Sequence, residues 1–183
     1  MHRVCPWWHA YSFDNFLRRL VHKPEKIFAG LVKEGMTVID IGAGMGFFSI
    51  AMARMVGDSG KVISIDIQPK MIEVLTKRAH KRGVDHRIQT VLCKSDDICV
   101  REKADFILAF WMVHEVPDKK HLFDQIVSCM KPSSRFLIVE PKMHVSASDF
   151  EKTLKIAGES GLSLLDRPKI HLSRSALFRG HNA

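Results

Sequence analysis

Five apolar runs punctuate the chain, and the first two run into an acid. Thr37 to Ile41, Lys61 to Asp66, Ile88 to Cys93, Ala104 to Phe110 and Arg135 to Glu140 are short, rich in β-branched and aromatic residues, and bounded by turn formers. Near-continuous apolar character over five to seven residues suits strands covered on both faces, as in a parallel sheet. Between them the period lengthens to that of helices. Phe47 to Val56, Pro69 to Lys81 and a helix capped by Asp118 and running to about Met130 read as crossovers, the last with Leu122, Ile126 and Met130 on one face. Pro69 suits a first helical turn and Gly83 a C-terminal cap.

The ends of the chain follow the same logic. Asp14 to Val21 reads as a short helix broken at His22-Lys23-Pro24, and Glu25 to Val32 as a second one closed by Gly35. Lys131 to Ser134 reads as a turn before the fifth strand. Ser148 and Glu151 form a capping box for a helix toward Ser160, closed by Gly161. Leu162 to Asp166 and Ala176 to Arg179 complete seven strands. Strands alternating with helices predict an α/β, doubly wound, mostly parallel sheet with right-handed crossovers. Ligands of such sheets bind beyond the carboxyl ends of the strands, where strand order switches. Asp40, Asp66 and Phe110 all fall on that rim.

Between the first strand and its helix lies Asp40-Ile41-Gly42-Ala43-Gly44-Met45-Gly46. Glycine there permits positive φ and close approach of a ligand. The spacing is G-x-G-x-G. A dinucleotide fingerprint requires its third glycine where Phe47 stands. Asp40, two residues before the first glycine, would repel a pyrophosphate and suits a cationic ligand. No G-x-x-x-x-G-K-[ST] run is present. Asp66 follows Gly46 by twenty residues and ends the second strand, the place of a carboxylate that accepts ribose hydroxyls. A ligand with a ribose, a cationic centre and no pyrophosphate is S-adenosylmethionine.

The chain resembles class I S-adenosylmethionine-dependent methyltransferases, of the small type similar to ubiquinone/menaquinone-biosynthesis methyltransferases. The resemblance rests on VIDIGAGMGFFSIAMA, VISIDIQPKMIEVL, ADFILAFWMVHEVPD and MKPSSRFLIVEPK, in the family's order from Val38 to Lys142. It implies a Rossmann-like seven-stranded sheet whose last strand is antiparallel, with S-adenosylmethionine as methyl donor and S-adenosylhomocysteine as product. It also implies site roles. Gly42, Ala43, Gly44 and Gly46 lie against the methionine part, and Asp40 helps to hold the ammonium. Asp66 takes the ribose and Ile67 packs on adenine. Ser95 and Asp96 sit near the adenine edge, and Ala109, Phe110 and Trp111 approach the methionine side. Many relatives carry an acid where Lys94 stands, and lysine cannot accept from the adenine amino group. Asp96 or the backbone would have to do so. His114, just past the fourth strand, is the candidate acid–base residue. A purely structural role is its competing reading.

Length, composition and charge narrow the rest. At 183 residues, with 46% hydrophobic and 26% charged positions, one soluble domain is expected: an N-terminal helical segment, residues 1–34, and a Rossmann-like core, residues 35–183. Trp7, Trp8, Tyr11, Phe13 and Phe16 would give residues 1–22 an apolar surface to cover the pocket, with Arg18 or Arg19 reaching an anionic group. The N-terminus lacks a signal-peptide core and no run is long enough to span a bilayer, so a cytoplasmic protein is expected. Cys5, Cys93, Cys99 and Cys129 show no zinc spacing, and no metal is expected. A net charge of +8 and the cluster Lys77, Arg78, Lys81, Arg82 and Arg87 admit nucleic acid as a partner, but a solvated outer helix face accounts for the cluster. The expected partner is a small-molecule methyl acceptor. An RNA methyltransferase and a non-catalytic cofactor-binding protein are the alternatives. Composition and spacing leave the oligomeric state open.

Overall fold

Alternation of apolar strands with one-faced helices produces a seven-stranded sheet in a computed structural model that describes residues 22–180. The strands are β1 Thr37–Ile41, β2 Lys61–Asp66, β3 Ile88–Leu92, β4 Ala104–Phe110, β5 Met130–Pro141, β6 Leu162–Asp166 and β7 Ser173–Gly180. Their spatial order is β3-β2-β1-β4-β5-β7-β6. Neighbours from β3 through β5 are parallel, whereas β7 runs antiparallel to both β5 and β6. Strand order therefore reverses between β1 and β4, and the carboxyl ends of these strands form the crevice expected of a doubly wound sheet. This is the Rossmann-like, mostly parallel sheet with an antiparallel last strand that the sequence pattern and resemblance implied.

The period of two along each strand divides the core. Val38, Val62, Phe106, Leu108 and Val139 point to the face covered by α1 (Pro24–Ile27), α2 (Phe47–Val56) and α3 (Pro69–Lys81). Ile39, Ile63, Ile107, Ile138 and Phe136 point to the other face, against α4 (Lys119–Ser128) and α5 (Ala147–Glu159). On the first face Phe28 packs edge-on against Phe48 and Phe106, with ring centroids 5.6 and 5.9 Å apart. Because side chains alternate, a carboxylate on β1 at Asp40 necessarily faces α2.

Four local readings are corrected. The helix expected over Glu25 to Val32 stops at Ile27. Phe28 is drawn fully into the core, and Gly30 takes φ +75°, which turns the chain. The stretch Lys131 to Ser134 is a bulge within β5 and not a turn before it: Ala104 pairs with Met130, and the next pair is Phe106 with Arg135. The cap of α5 is Ser146, whose hydroxyl accepts from the Asp149 N–H at 3.1 Å; Ser148 is already in the helix. The last strand starts at Ser173, three residues before the expected Ala176. The expected helix over Asp14 to Val21 lies outside the described residues, as does Cys5.

Candidate active site

Three elements build the rim. The β1–α2 turn carries the glycines, all with positive φ: Gly42 at 72°, Gly44 at 55° and Gly46 at 84°. Their requirements differ. A Cβ on Gly42 would stand 2.8 Å from Cγ of Met112, and one on Gly46 would stand 2.8 Å from Cγ of the buried Leu75. A Cβ on Gly44 would meet no atom of the described residues within 4 Å. Gly42 and Gly46 are thus held to glycine by neighbours as well as by conformation, whereas Gly44 borders open space. Gly42 and Ala43 both donate to the Ile65 carbonyl at 2.9 Å, which stitches the turn to the end of β2.

Asp66 closes β2 beneath that turn. Its Oδ2 accepts from the Gly44 N–H at 2.8 Å and its Oδ1 from the Gln68 N–H at 2.9 Å. Burial pushes its carboxyl above the ordinary value, against the pull of the backbone donors Gln68, Gly44 and Ile67. A carboxylate offers about four lone-pair directions, so acceptor capacity remains beside these backbone donors. Ile67, the next residue, is 36% exposed beside that carboxylate. Asp40 lies deeper. It is buried, and its Oδ2 accepts from the Ser49 hydroxyl in the first turn of α2 at 2.6 Å.

The third element follows β4. Ala109 is fully buried and Phe110 nearly so, packed on Phe48 with centroids 4.3 Å apart, so both are core and present almost no surface to a ligand. Trp111 is half-buried and holds φ +59°, a conformation that costs an L-residue roughly 1–2 kcal/mol. It is held there by its N–H to the Val139 carbonyl at 2.7 Å, its indole N–H to the Ser173 hydroxyl at 3.0 Å, and the edge of the His22 ring at 5.1 Å. Strained, over-determined residues concentrate at functional sites. Val113 to Glu115 then form a single 3-10 turn. Here His114 Nδ1 donates to Glu140 Oε2 at 2.6 Å, and Glu140 also accepts the Val113 N–H at 3.0 Å and the His114 N–H at 3.2 Å. Burial opposes protonation of His114, but the hydrogen bond and charge of Glu140, with the charge of Glu115, outweigh it and hold the imidazole above its ordinary value.

The structure thus gathers Gly42, Ala43, Gly44, Gly46, Asp66 and Ile67 at one end of the crevice, with Trp111 and His114 past β4. Ser95 and Asp96 are exposed on the β3–β4 connection. The connection is tied to α4 by the Gln125 amide, which donates to the Asp96 carbonyl and accepts from the Ile98 N–H, both at 2.9 Å, and to the end of β2 by the Cys93 N–H, which donates to the Asp66 carbonyl at 3.0 Å. Of the expected pocket cover only His22 is described, buried with its Nε2 donating to the His171 carbonyl at 3.1 Å. Trp7, Trp8, Tyr11, Phe13, Phe16, Arg18 and Arg19 lie outside the described residues. On α3, Lys70 and Lys77 pair with Glu73 and Arg78 donates to the Met45 carbonyl of the glycine turn; past the helix, Arg87 pairs with Asp58. Sequence reasoning missed Glu140, Ser49 and Met112. Only Glu140 carried a signal: an acid ending an apolar strand on the rim shared by Asp66.

Over residues 32–165 the chain matches the family model of a methyltransferase domain, and it belongs to that family. The ubiquinone/menaquinone biosynthesis C-methyltransferase of Haemophilus ducreyi is 28% identical over 110 residues, 60% of this chain and 42% of that protein. The Idiomarina loihiensis counterpart is 29% identical over 64% of this chain and 47% of its own length. The chain therefore matches less than half the length of these curated relatives. Among solved structures, an Aquifex aeolicus S-adenosylmethionine-dependent methyltransferase superposes with TM-score 0.86 at 23% identity, covering 96% of this chain and 98% of that one. A Methanococcus maripaludis protein described as a putative S-adenosylmethionine-dependent methyltransferase gives 0.83 at 17% identity, covering 100% of this chain and 98% of that one. At these identities the structural matches speak for the fold. No helix among the described residues is long and apolar enough to cross a membrane, and no cluster of three or more His, Cys, Asp or Glu there suits a metal.

Proposed function

We propose that this protein transfers a methyl group from S-adenosylmethionine to a small-molecule acceptor. The observation that carries the reading is the pairing of Gly44 with Asp66. The glycine turn leaves open space where a side chain would stand, and the carboxylate beneath it is fixed by backbone donors yet retains acceptor capacity. Membership of a methyltransferase-domain family supports it.

In this reading the turn from Gly42 to Gly46 holds the methionine part, Asp66 accepts from the ribose hydroxyls, and Ile67 packs on adenine. The charge of Asp40 acts through Ser49 and the backbone of the turn. Ser95 and Asp96 border the adenine edge, Ala109 and Phe110 back the site from the core, and Trp111 lines the acceptor side. When bound, the sulfonium supplies an activated methyl, so the protein mainly aligns the reactants and excludes water. His114 takes the acceptor's proton. The relatives are named for C-methylation in quinone biosynthesis, which makes phenols and hydroquinones the first acceptor class to assay.

Calorimetry with S-adenosylhomocysteine tests the cofactor half, and failure of the intact protein to bind it would sink the proposal. A panel of phenols and hydroquinones, 1,4-naphthohydroquinone among them, tests the acceptor half. The expected result is S-adenosylhomocysteine release that depends on the acceptor. Binding without turnover across the panel would favour a non-catalytic cofactor-binding protein.

A further inference from the structure

We propose that Glu140 is a positioning residue that fixes the tautomer and proton affinity of His114, so that His114 Nε2 faces the acceptor as a base and the acceptor is one that must shed a proton. The inference rests on the reading of His114 as the proton acceptor.

The geometry is specific. Glu140 is the penultimate residue of β5 on the rim, with only about 2% of the residue exposed. An ionised carboxyl only accepts, so the 2.6 Å contact places the imidazole proton on Nδ1. The same carboxylate accepts the backbone N–H of Val113 through Oε1 and that of His114 through Oε2, so ring and backbone are fixed by one group. Nε2 is left as the lone-pair nitrogen, on a side chain 23% exposed at the carboxyl end of β4. A base oriented by a buried carboxylate through its other ring nitrogen is the arrangement that holds an imidazole in one tautomer and stabilises the imidazolium that forms. A carboxylate needed only to tether the loop could do so through its two backbone bonds, without engaging the ring.

Among the described residues, the charged and titratable neighbours are few. Glu115 Oε1 lies 4.0 Å from Nε2, and Lys119 at the start of α4 opposes protonation. The His144 ring, from the loop after β5, is centred 5.8 Å from that of His114. The acceptor X–H bond breaks and its proton goes to Nε2, while the X–H pair forms the new X–CH3 bond. The methyl–sulfur pair stays on sulfur, giving a neutral thioether. The imidazolium then returns its proton to water.

The test uses the full chain with 15N-histidine and two-bond 1H–15N spectra across pH 5–9, His114 being assigned from His114→Gln. The expected result is a neutral form with the proton on Nδ1 and a titration midpoint above the ordinary 6.5. In Glu140→Gln, an amide replaces one carboxylate oxygen, so the midpoint should drop and the tautomers should mix. A wild-type His114 with its neutral proton on Nε2, or with an unshifted midpoint, overturns the inference even if Glu140→Gln fails to fold. With whichever hydroquinone or phenol the wild type turns over, the acid limb of the kcat profile should follow the midpoint in both proteins. A limb that stays in place while the midpoint moves overturns it as well. Calorimetry with S-adenosylhomocysteine separates the levels: binding with an ordinary His114 removes this inference alone, whereas no binding with a shifted His114 removes the methyltransferase reading.

Discussion

Gly44 and Gly46 sit two residues apart in one turn, yet alanine should affect them in different ways. Gly46 holds φ +84° and its added Cβ would stand 2.8 Å from Leu75 Cγ, a fully buried side chain that cannot simply swing away. The left-handed conformation costs roughly 1–2 kcal/mol for an L-residue, and overpacking a tight core roughly 1–3. Gly46→Ala should therefore lose about 3 kcal/mol, or roughly 6–12 °C in Tm for a chain of this size. Gly44 holds φ +55° with no atom of the described residues within 4 Å of an added Cβ, so Gly44→Ala carries the conformational cost alone, about 1 kcal/mol and roughly 2–4 °C. The open space beside Gly44 is where the cofactor would approach, and a methyl intruding there should cost about 2 kcal/mol of affinity, near 30-fold in Kd. Thermal unfolding and calorimetry with S-adenosylhomocysteine on both variants read the two axes. Wild-type affinity in Gly44→Ala would refute the assignment of that space to the ligand. An undiminished Tm in Gly46→Ala would refute the packing argument.

Asp66 should make cofactor binding pH-dependent. Its raised native pKa means that its contribution to apo stability is full below the ordinary 3.8 and is lost as pH rises through the native value, while ribose hydroxyls are best accepted by the ionised form. Affinity for S-adenosylhomocysteine should therefore fall as pH drops through the native pKa, and Asp66→Asn should lose at least about tenfold, roughly 1.4 kcal/mol, near neutral pH. A flat profile refutes the role. Ser146→Ala should cost about 1 kcal/mol through loss of the α5 cap, and Ser148→Ala less than about 0.5, as thermal unfolding would show; equal losses would move the cap back to Ser148. The Cys93 thiol is pushed up to about 11 by burial and the nearby Asp66 charge, whereas Cys99 is exposed. At pH 8 only roughly one Cys93 in a thousand is thiolate, so peptide mapping after brief alkylation should find Cys99 modified and Cys93 intact.

The sheet was legible because its strands are apolar on both faces and its helices on one, so period and turn residues locate them. The two acids ending β1 and β2, and the glycines between, were legible because backbone geometry restricts which residues stand there. What was not legible depends on distance in space. Nothing in the local sequence shows that Ser49 reaches Asp40, that Met112 fills the space a Cβ on Gly42 would need, or that Glu140, 26 residues beyond His114, returns to its ring. Ala109 and Phe110 occupy the expected rim by position, but strand alternation and the packing of Phe48 turn them into core. Ser148 misled because Ser-x-x-Glu fits a capping box, while Ser146 with Asp149 fits the same physics two residues earlier.

These long-range contacts join the two halves of the candidate site. Gly42 accommodates the side chain of Met112, so the conformation of the cofactor turn and that of the loop after β4 are set together. The same loop is fixed at Trp111 by Val139 and Ser173, and at Val113 and His114 by Glu140. The anchors thus come from β5 and β7, the strands on the far side of the loop from the glycines. A larger side chain at residue 42 would press on Met112 and, through a loop held at three further points, would reach His114 without touching it. Substitution there should therefore disturb acceptor turnover as well as cofactor affinity, whereas Gly44→Ala, with no contact to that loop, should lower affinity and leave turnover at saturating cofactor unchanged. Equal kcat in Gly42→Ala and wild type at saturating cofactor would show that the two halves are mechanically independent.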